Sequence, residues 1–153
     1  IRENICYGRA DASEADIVAA AKASGAHFFI EHLPGQYETM LTESGQNLSE
    51  GQRQLLAIAR AILFDPDILI LDEATSSVDT RTELRIQEAF MGLMKGRTSF
   101  MIAHRLSTIV GADVIMLVQD GRLAEVGSHT ALMAQDGQYR KMFMMQANGI
   151  AAE

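Results

Sequence analysis

Ile68-Leu69-Ile70-Leu71-Asp72-Glu73 decides how the rest of the chain is read. Four apolar residues run unbroken between Asp67 and two acids, with Pro66 just before them. Such a run fits a parallel strand covered by helices, and burial on both faces is the expectation here. In open α/β sheets, ligands gather at the carboxyl ends of the strands, where Asp72 and Glu73 stand. One acid there can hold a Mg²⁺ bound to phosphate, directly or through water. A second can activate a water for attack on that phosphate. The same pair can also do no more than solvate a strand end or cap the next helix. Ala74-Thr75-Ser76-Ser77-Val78-Asp79 follows, small and polar, as a loop lining such a site would be.

Working outward, Asp79-Thr80 caps a helix whose apolar face is Ile86, Ala89, Phe90, Leu93 and Met94, and Gly96 closes it. Thr98 to Ala103 reads as a second buried strand, ending at His104. A short helix is expected from Arg105 to Gly111. Val114 to Val118 and Leu123 to Val126 flank Asp120-Gly121, a tight hairpin signal. Short helices follow near Thr130 to Ala134 and Gln138 to Gln146, and the tail after Asn148 is expected to fray. Upstream, Leu48-Ser49-Glu50-Gly51-Gln52 opens the clearest helix. Leu55, Leu56, Ala59, Ile62 and Leu63 recur there at helical spacing and make one stripe. Asp65-Pro66 ends it. Asp11 to Gly25 carries helix start and stop signals, and Ala26 to His32 reads as a second short helix. Residues 1–64 are thus expected to form a helical subdomain, and residues 65–153 an alternation of strand and helix around a parallel sheet.

Composition narrows the function. At 153 residues the chain is long enough for a real core, and 48% apolar with 22% charged residues is an ordinary globular balance. A net charge of −7 argues against a nucleic-acid partner. The single cysteine, Cys6, leaves no internal disulfide and fits a reducing compartment. No run approaches the roughly 20 apolar residues that span a bilayer. The chain starts at Ile1 rather than Met, and Ile1-Arg2-Glu3-Asn4-Ile5 has no capping signal, so a piece of a longer polypeptide is expected.

Ser49 stands at the start of the strongest helix, where its hydroxyl and the free N–H groups of the first turn can make an anion site. Gly51 lets a phosphate approach the backbone with no Cβ in the way, and Gln52 adds a side-chain amide. Ser before a helix is equally an ordinary N-cap. His104 ends its strand as Glu73 does the neighbouring run; it can meet a terminal phosphate or orient a water, or be a satisfied strand-end histidine. Asp79 is an N-cap by position and can serve both purposes. His27, His32 and His129 share no ligand spacing and are read as structural.

Leu48-Ser49-Glu50-Gly51-Gln52-Arg53-Gln54, Ile68 to Glu73, Ser77-Val78-Asp79 and Ile102-Ala103-His104-Arg105 come in one order. In that order and spacing they resemble the signature motif, Walker B, D-loop and switch histidine of ABC transporter nucleotide-binding domains. Ile1 to Ile5 resembles the segment after the Q-loop in the exporter branch, Thr42-Glu43-Ser44-Gly45 that branch's X-loop, and Ile102 to Thr108 also has an exporter character. The resemblance covers essentially the whole chain. Two departures stand out. Glu50 replaces the family's usual first Gly of Leu-Ser-Gly-Gly-Gln, and an acid near a triphosphate weakens binding unless it points away. No Gly-x-x-x-x-Gly-Lys-Ser/Thr occurs; the lysines are Lys22, Lys95 and Lys141, and none follows a Gly.

The resemblance implies an α/β fold: a P-loop NTPase, RecA-like core with a mainly parallel sheet and an α-helical signature subdomain, lacking the N-terminal Walker A half. It implies ATP and Mg²⁺, a second nucleotide-binding domain paired head to tail, the transmembrane domains of an exporter, and a place at the cytoplasmic face of the membrane. Ser49, Gly51 and Gln52 would complete the partner domain's ATP site. Asp72 would place Mg²⁺, Glu73 would polarise the attacking water, His104 would sense the γ-phosphate, Asp79 would link the two sites, and Glu43 would lie near the coupling helices. In such a core the Walker A strand lies between the strand ending at His104 and the hairpin. Without it Phe100, Ile102 and Val114 are expected to be exposed, which favours self-association, and the chain alone to be inactive. A soluble ABC-type ATPase acting on DNA or ribosomes and a non-catalytic nucleotide-binding module are the rival readings. The exporter-like ends and the acidic charge weigh against the first; intact Glu73 and His104 weigh against the second for a longer parent, while the missing Walker A keeps it open for this chain by itself.

Overall fold

The computed structural model describes residues 1–72, 78–103 and 106–147. These pack as two compact units, Ile1–Phe100 and Met101–Glu153, with the boundary inside a strand.

The first unit opens with three helices, α1 (Arg2–Ile5), α2 (Glu14–Ser24) and α3 (His27–Ile30). Ser13 caps α2, its hydroxyl accepting the Asp16 N–H while the Asp16 carboxylate accepts the Ser13 N–H; Gly25 ends it in the left-handed conformation. Two 3₁₀ turns, Gln36–Glu38 and Glu43–Gly45, fill the polar stretch before α4 (Glu50–Phe64). The stripe on α4 does what its spacing predicts: Leu55, Leu56, Ala59 and Leu63 are buried, with Ile58 beside them. They pack with Ile5 of α1, Ile17, Ala20 and Ala21 of α2, and Ile86 and Leu93 of α5 (Thr80–Met94) in one core. Arg60 ties α1 to α4, donating to the Asn4 carbonyl at 3.0 Å and to its side-chain oxygen at 2.6 Å.

Asp65 closes α4 in the left-handed conformation, and β1 (Ile68–Asp72) follows. It pairs with β2 (Thr98–Ile102) in a parallel two-stranded sheet, with α5 as the crossover between them. The expected burial of β1 on both faces does not hold. Leu69 is 5% exposed, but Ile68 and Ile70 are 61% and 74% exposed. The described residues cover one face of the strand, the one that turns Leu69 into the helical core; the alternate side chains look out from the other. Phe100, Ile102 and Val114 are exposed, as expected.

In the second unit a 3₁₀ turn, Leu106–Ile109, stands where a short helix was expected. β3 (Ile115–Gln119) and β4 (Arg122–Gly127) pair antiparallel around Asp120-Gly121, with Gln119 opposite Arg122. Asp120 and Gly121 both have positive φ, which a two-residue type I′ turn demands and Gly supplies without strain. The register shifts between Leu117 and Val118, a bulge. Two helices, α6 (His129–Ala134) and α7 (Gln138–Ala147), complete the unit around buried Ile115, Leu132 and Tyr139. The Glu125 carboxylate accepts the first N–H groups of α7, at Gln138 and Tyr139. Among the described residues no helix is long and apolar enough to cross a membrane.

Candidate functional site

The site is built around the N-terminal turn of α4. Ser49 has extended φ and ψ and caps the helix; its hydroxyl oxygen accepts the Gln52 N–H at 3.2 Å. The Gln52 side-chain oxygen reaches back to accept the Ser49 N–H at 2.9 Å, completing a capping box. Both expected ligands are therefore held in place by each other. A hydroxyl that accepts one bond still carries its own proton, and the helix dipole adds about half a positive charge at this end. The turn suits an anion. Ser-x-x-Gln before an apolar run is a capping-box pattern, and it is the signal that would have given Gln52 this second role from sequence.

Glu50 does not oppose an anion at this turn. Its carboxylate pairs with the Arg53 guanidinium three residues on. Arg53 also donates to the Leu48 carbonyl at 2.8 Å and to the Gly45 carbonyl at 3.3 Å. One guanidinium thus joins the 3₁₀ turn that Glu43 begins, the residue before Ser49, and the acid that departs from the family pattern. Asn47 fastens the same loop: its side-chain oxygen accepts the Thr42 N–H at 3.1 Å and its side-chain N–H donates to the Met40 carbonyl at 3.0 Å. Glu43 itself is exposed. Arg53 and Asn47 were not singled out from the sequence, because what they do depends on which carbonyls the fold brings within reach.

Gly51 is buried where α4 meets α5. A Cβ built on it would lie 2.4 Å from Thr82 Cγ2 and 3.1 Å from Val78 Cγ1. Asp79 caps α5, accepting the Thr82 N–H at 3.1 Å. Hydrogen bonds from the Thr82 side chain and backbone hold the Asp79 carboxyl below the usual carboxylate range. The signature turn and Asp79 are thereby joined through Thr82. Asp72 is the last residue of β1 and is exposed. Glu73, Ser77 and His104 lie outside the described residues.

The remaining histidines have local partners. His27 Nδ1 is 2.8 Å from the Tyr37 hydroxyl, His129 Nδ1 is 2.8 Å from the Tyr139 hydroxyl, and His32 Nδ1 is 2.6 Å from the Phe28 carbonyl. Their structural reading fits these contacts.

Comparison with known proteins places this arrangement. The model of the ABC transporter family matches residues 1–76. An uncharacterised ABC transporter ATP-binding protein of Bacillus subtilis, YfiC, is 56% identical over 146 residues, which is 95% of this chain and 24% of that protein. The ATP-dependent lipid A-core flippase of Chromobacterium violaceum is 53% identical over 146 residues, 95% of this chain and 25% of the flippase. The structure of a bacterial Atm1-family ABC exporter with ATP bound superposes with a TM-score of 0.86 at 46% identity, covering 99% of this chain and 26% of that one. The chain therefore spans about a quarter of the length of these relatives. The fold is that of an ABC exporter's P-loop NTPase domain. The chain belongs to the ABC transporter family, within its ATP-binding part.

Proposed function

We propose that this chain is the signature-bearing, C-terminal part of the ATP-binding and hydrolysing domain of an ABC exporter, which couples ATP hydrolysis to movement of a substrate across a membrane. The observation that carries the reading is the N-terminal turn of α4. Ser49 and Gln52 are locked in a capping box, the Glu50 charge is taken up by Arg53, and the turn rests on the helix that Asp79 caps. Relatives named as an ATP-dependent flippase and an exporter with ATP bound support it.

In this reading residues 1–64 serve as the signature subdomain and residues 65–153 belong to the ATPase core. Two such domains pair head to tail, and Ser49, Gly51 and Gln52 face the triphosphate held by the partner domain. Asp72 would hold Mg²⁺, and the ion supplies charge neutralisation at the phosphoryl oxygens when bound. Glu73 accepts a proton from the water that attacks the γ-phosphorus, and ADP leaves. His104 contacts the γ-phosphate, and Asp79 links the two sites across the interface. Glu43, exposed at the head of its turn, faces the coupling helices of the transmembrane domains at the cytoplasmic side. The chain alone lacks the glycine-rich loop and lysine that cradle phosphates, so alone it does not turn ATP over.

The test is Glu73→Gln in the full-length parent. An amide cannot take the water's proton, so ATP still binds and turnover falls by about a hundredfold or more. Steady-state phosphate release near the wild-type rate would remove Glu73 from the role of base.

A further inference from the structure

Gly51 has a neighbour problem that originates inside the chain. The place its Cβ would take is filled by the Thr82 methyl, at 2.4 Å, with Val78 Cγ1 at 3.1 Å on another side. Thr82 is not at liberty to turn the methyl away. Its backbone N–H bonds the Asp79 carboxylate at 3.1 Å, and its hydroxyl lies on the Asp79 side, where it helps hold that carboxyl below the usual range. A β-branched side chain in a helix has few χ1 states to move into, and leaving this one withdraws the hydroxyl from Asp79. One residue therefore presents its hydroxyl to the cap of α5 and its methyl to the first turn of α4.

We propose that Thr82 is a positioning residue: it seats the Gly51 turn on Val78 and Asp79, so that the nucleotide-facing end of α4 and the start of α5 move as one body. The proposal rests on the functional reading above, in which Ser49 and Asp79 serve the two nucleotide sites of a dimer. It gives Gly51 a requirement beyond phosphate approach, since any side chain there pushes α4 off α5. Displacement of the turn shifts Ser49 and Asp79 relative to each other without touching the chain's own hold on nucleotide.

The experiment is a double-mutant cycle in the full-length parent, reading kcat and KM for ATP together with Tm. Gly51→Ala is expected to lower kcat by about tenfold or more, since a misplacement near 1 Å can cost about a hundredfold, with KM little changed. Thr82→Ser keeps the hydroxyl on Asp79 and removes only the methyl. Combined with Gly51→Ala, it restores most of the lost kcat and most of the lost Tm. Thr82→Val keeps the methyl and rescues neither. A double variant no faster than Gly51→Ala, with Tm losses that simply add, would overturn the seat. Recovery of Tm in the cycle, with no ATP turnover in the wild-type parent, would uphold the seat and overturn the functional reading instead.

Discussion

Helix α4 and strand β1 are neighbours in sequence, both rich in aliphatic residues, and end up in opposite circumstances. The helix buries its stripe within this chain, against α1, α2 and α5. The strand buries Leu69 in the same core and leaves Ile68 and Ile70 in the open. A helix has one apolar face, and a partner for it can be found locally. A central strand has two, and the second needs an element from elsewhere. Among the described residues the α4 stripe finds its partners, and the outer face of β1 does not.

The contrast can be broken with one pair of substitutions. Ile86 is fully buried between α5 and the helical core. Ile86→Ala should cost about 2–5 kcal/mol, through lost transfer energy and the cavity left behind. Urea melts of the parent's ATP-binding domain would measure it. A loss below 1 kcal/mol, on the scale of about 0.5 kcal/mol for surface changes, would mean that the core is not packed as described.

Ile70 gives the opposite case, and a change of sign with context. In the 153-residue chain, Ile70→Thr should alter stability by no more than about 0.5 kcal/mol. It should also reduce self-association, seen as a lower sedimentation coefficient at equal concentration, because it interrupts an exposed apolar patch. In the full-length parent, where we propose that this face is covered, the same change buries a hydroxyl and should cost about 1–3 kcal/mol. Equal effects in both settings would mean that the face stays open in the parent.

This difference also marks what the sequence could tell. The α4 stripe was legible because its period is local, and the hairpin because Asp120-Gly121 suits positive φ. The order of the motifs carried the family. The cover over β1 was not legible: Ile68 to Leu71 reads the same whether or not a second layer is present, since strand composition records the environment of the assembled domain. At the site, Ser49 and Asp79 were legible as caps from their positions. The capping-box role of Gln52 is present in the Ser-x-x-Gln spacing. Arg53, Asn47 and Thr82 were invisible for a different reason: their partners, the Gly45 carbonyl, the Met40 carbonyl and the missing Cβ of Gly51, are set by folding rather than by neighbouring letters.

The smallest expected effect is a proton's. Asp79 lies between the two regions compared, after β1 and at the head of the helix that packs on α4. Its carboxyl is held below the usual range, first by the Thr82 side chain and then by the Thr82 N–H. A carboxyl whose folded value is depressed contributes stability that is present above its unfolded value, about 3.9. That contribution is lost as the pH falls through the folded value. The window therefore lies on the acid side of 3.9, and nothing should change through Asp79 near neutral pH. Carboxyl NMR titration of the parent's domain should find the Asp79 midpoint below the ordinary aspartate value. Thr82→Val removes the hydroxyl and should move the midpoint back toward the ordinary value, while Thr82→Ser should leave it low. The cap is local to α5, so covering the open face of β1 should not shift it. An Asp79 midpoint at or above the ordinary value, or one indifferent to Thr82→Val, would detach Asp79 from Thr82 and with it from the turn at Gly51.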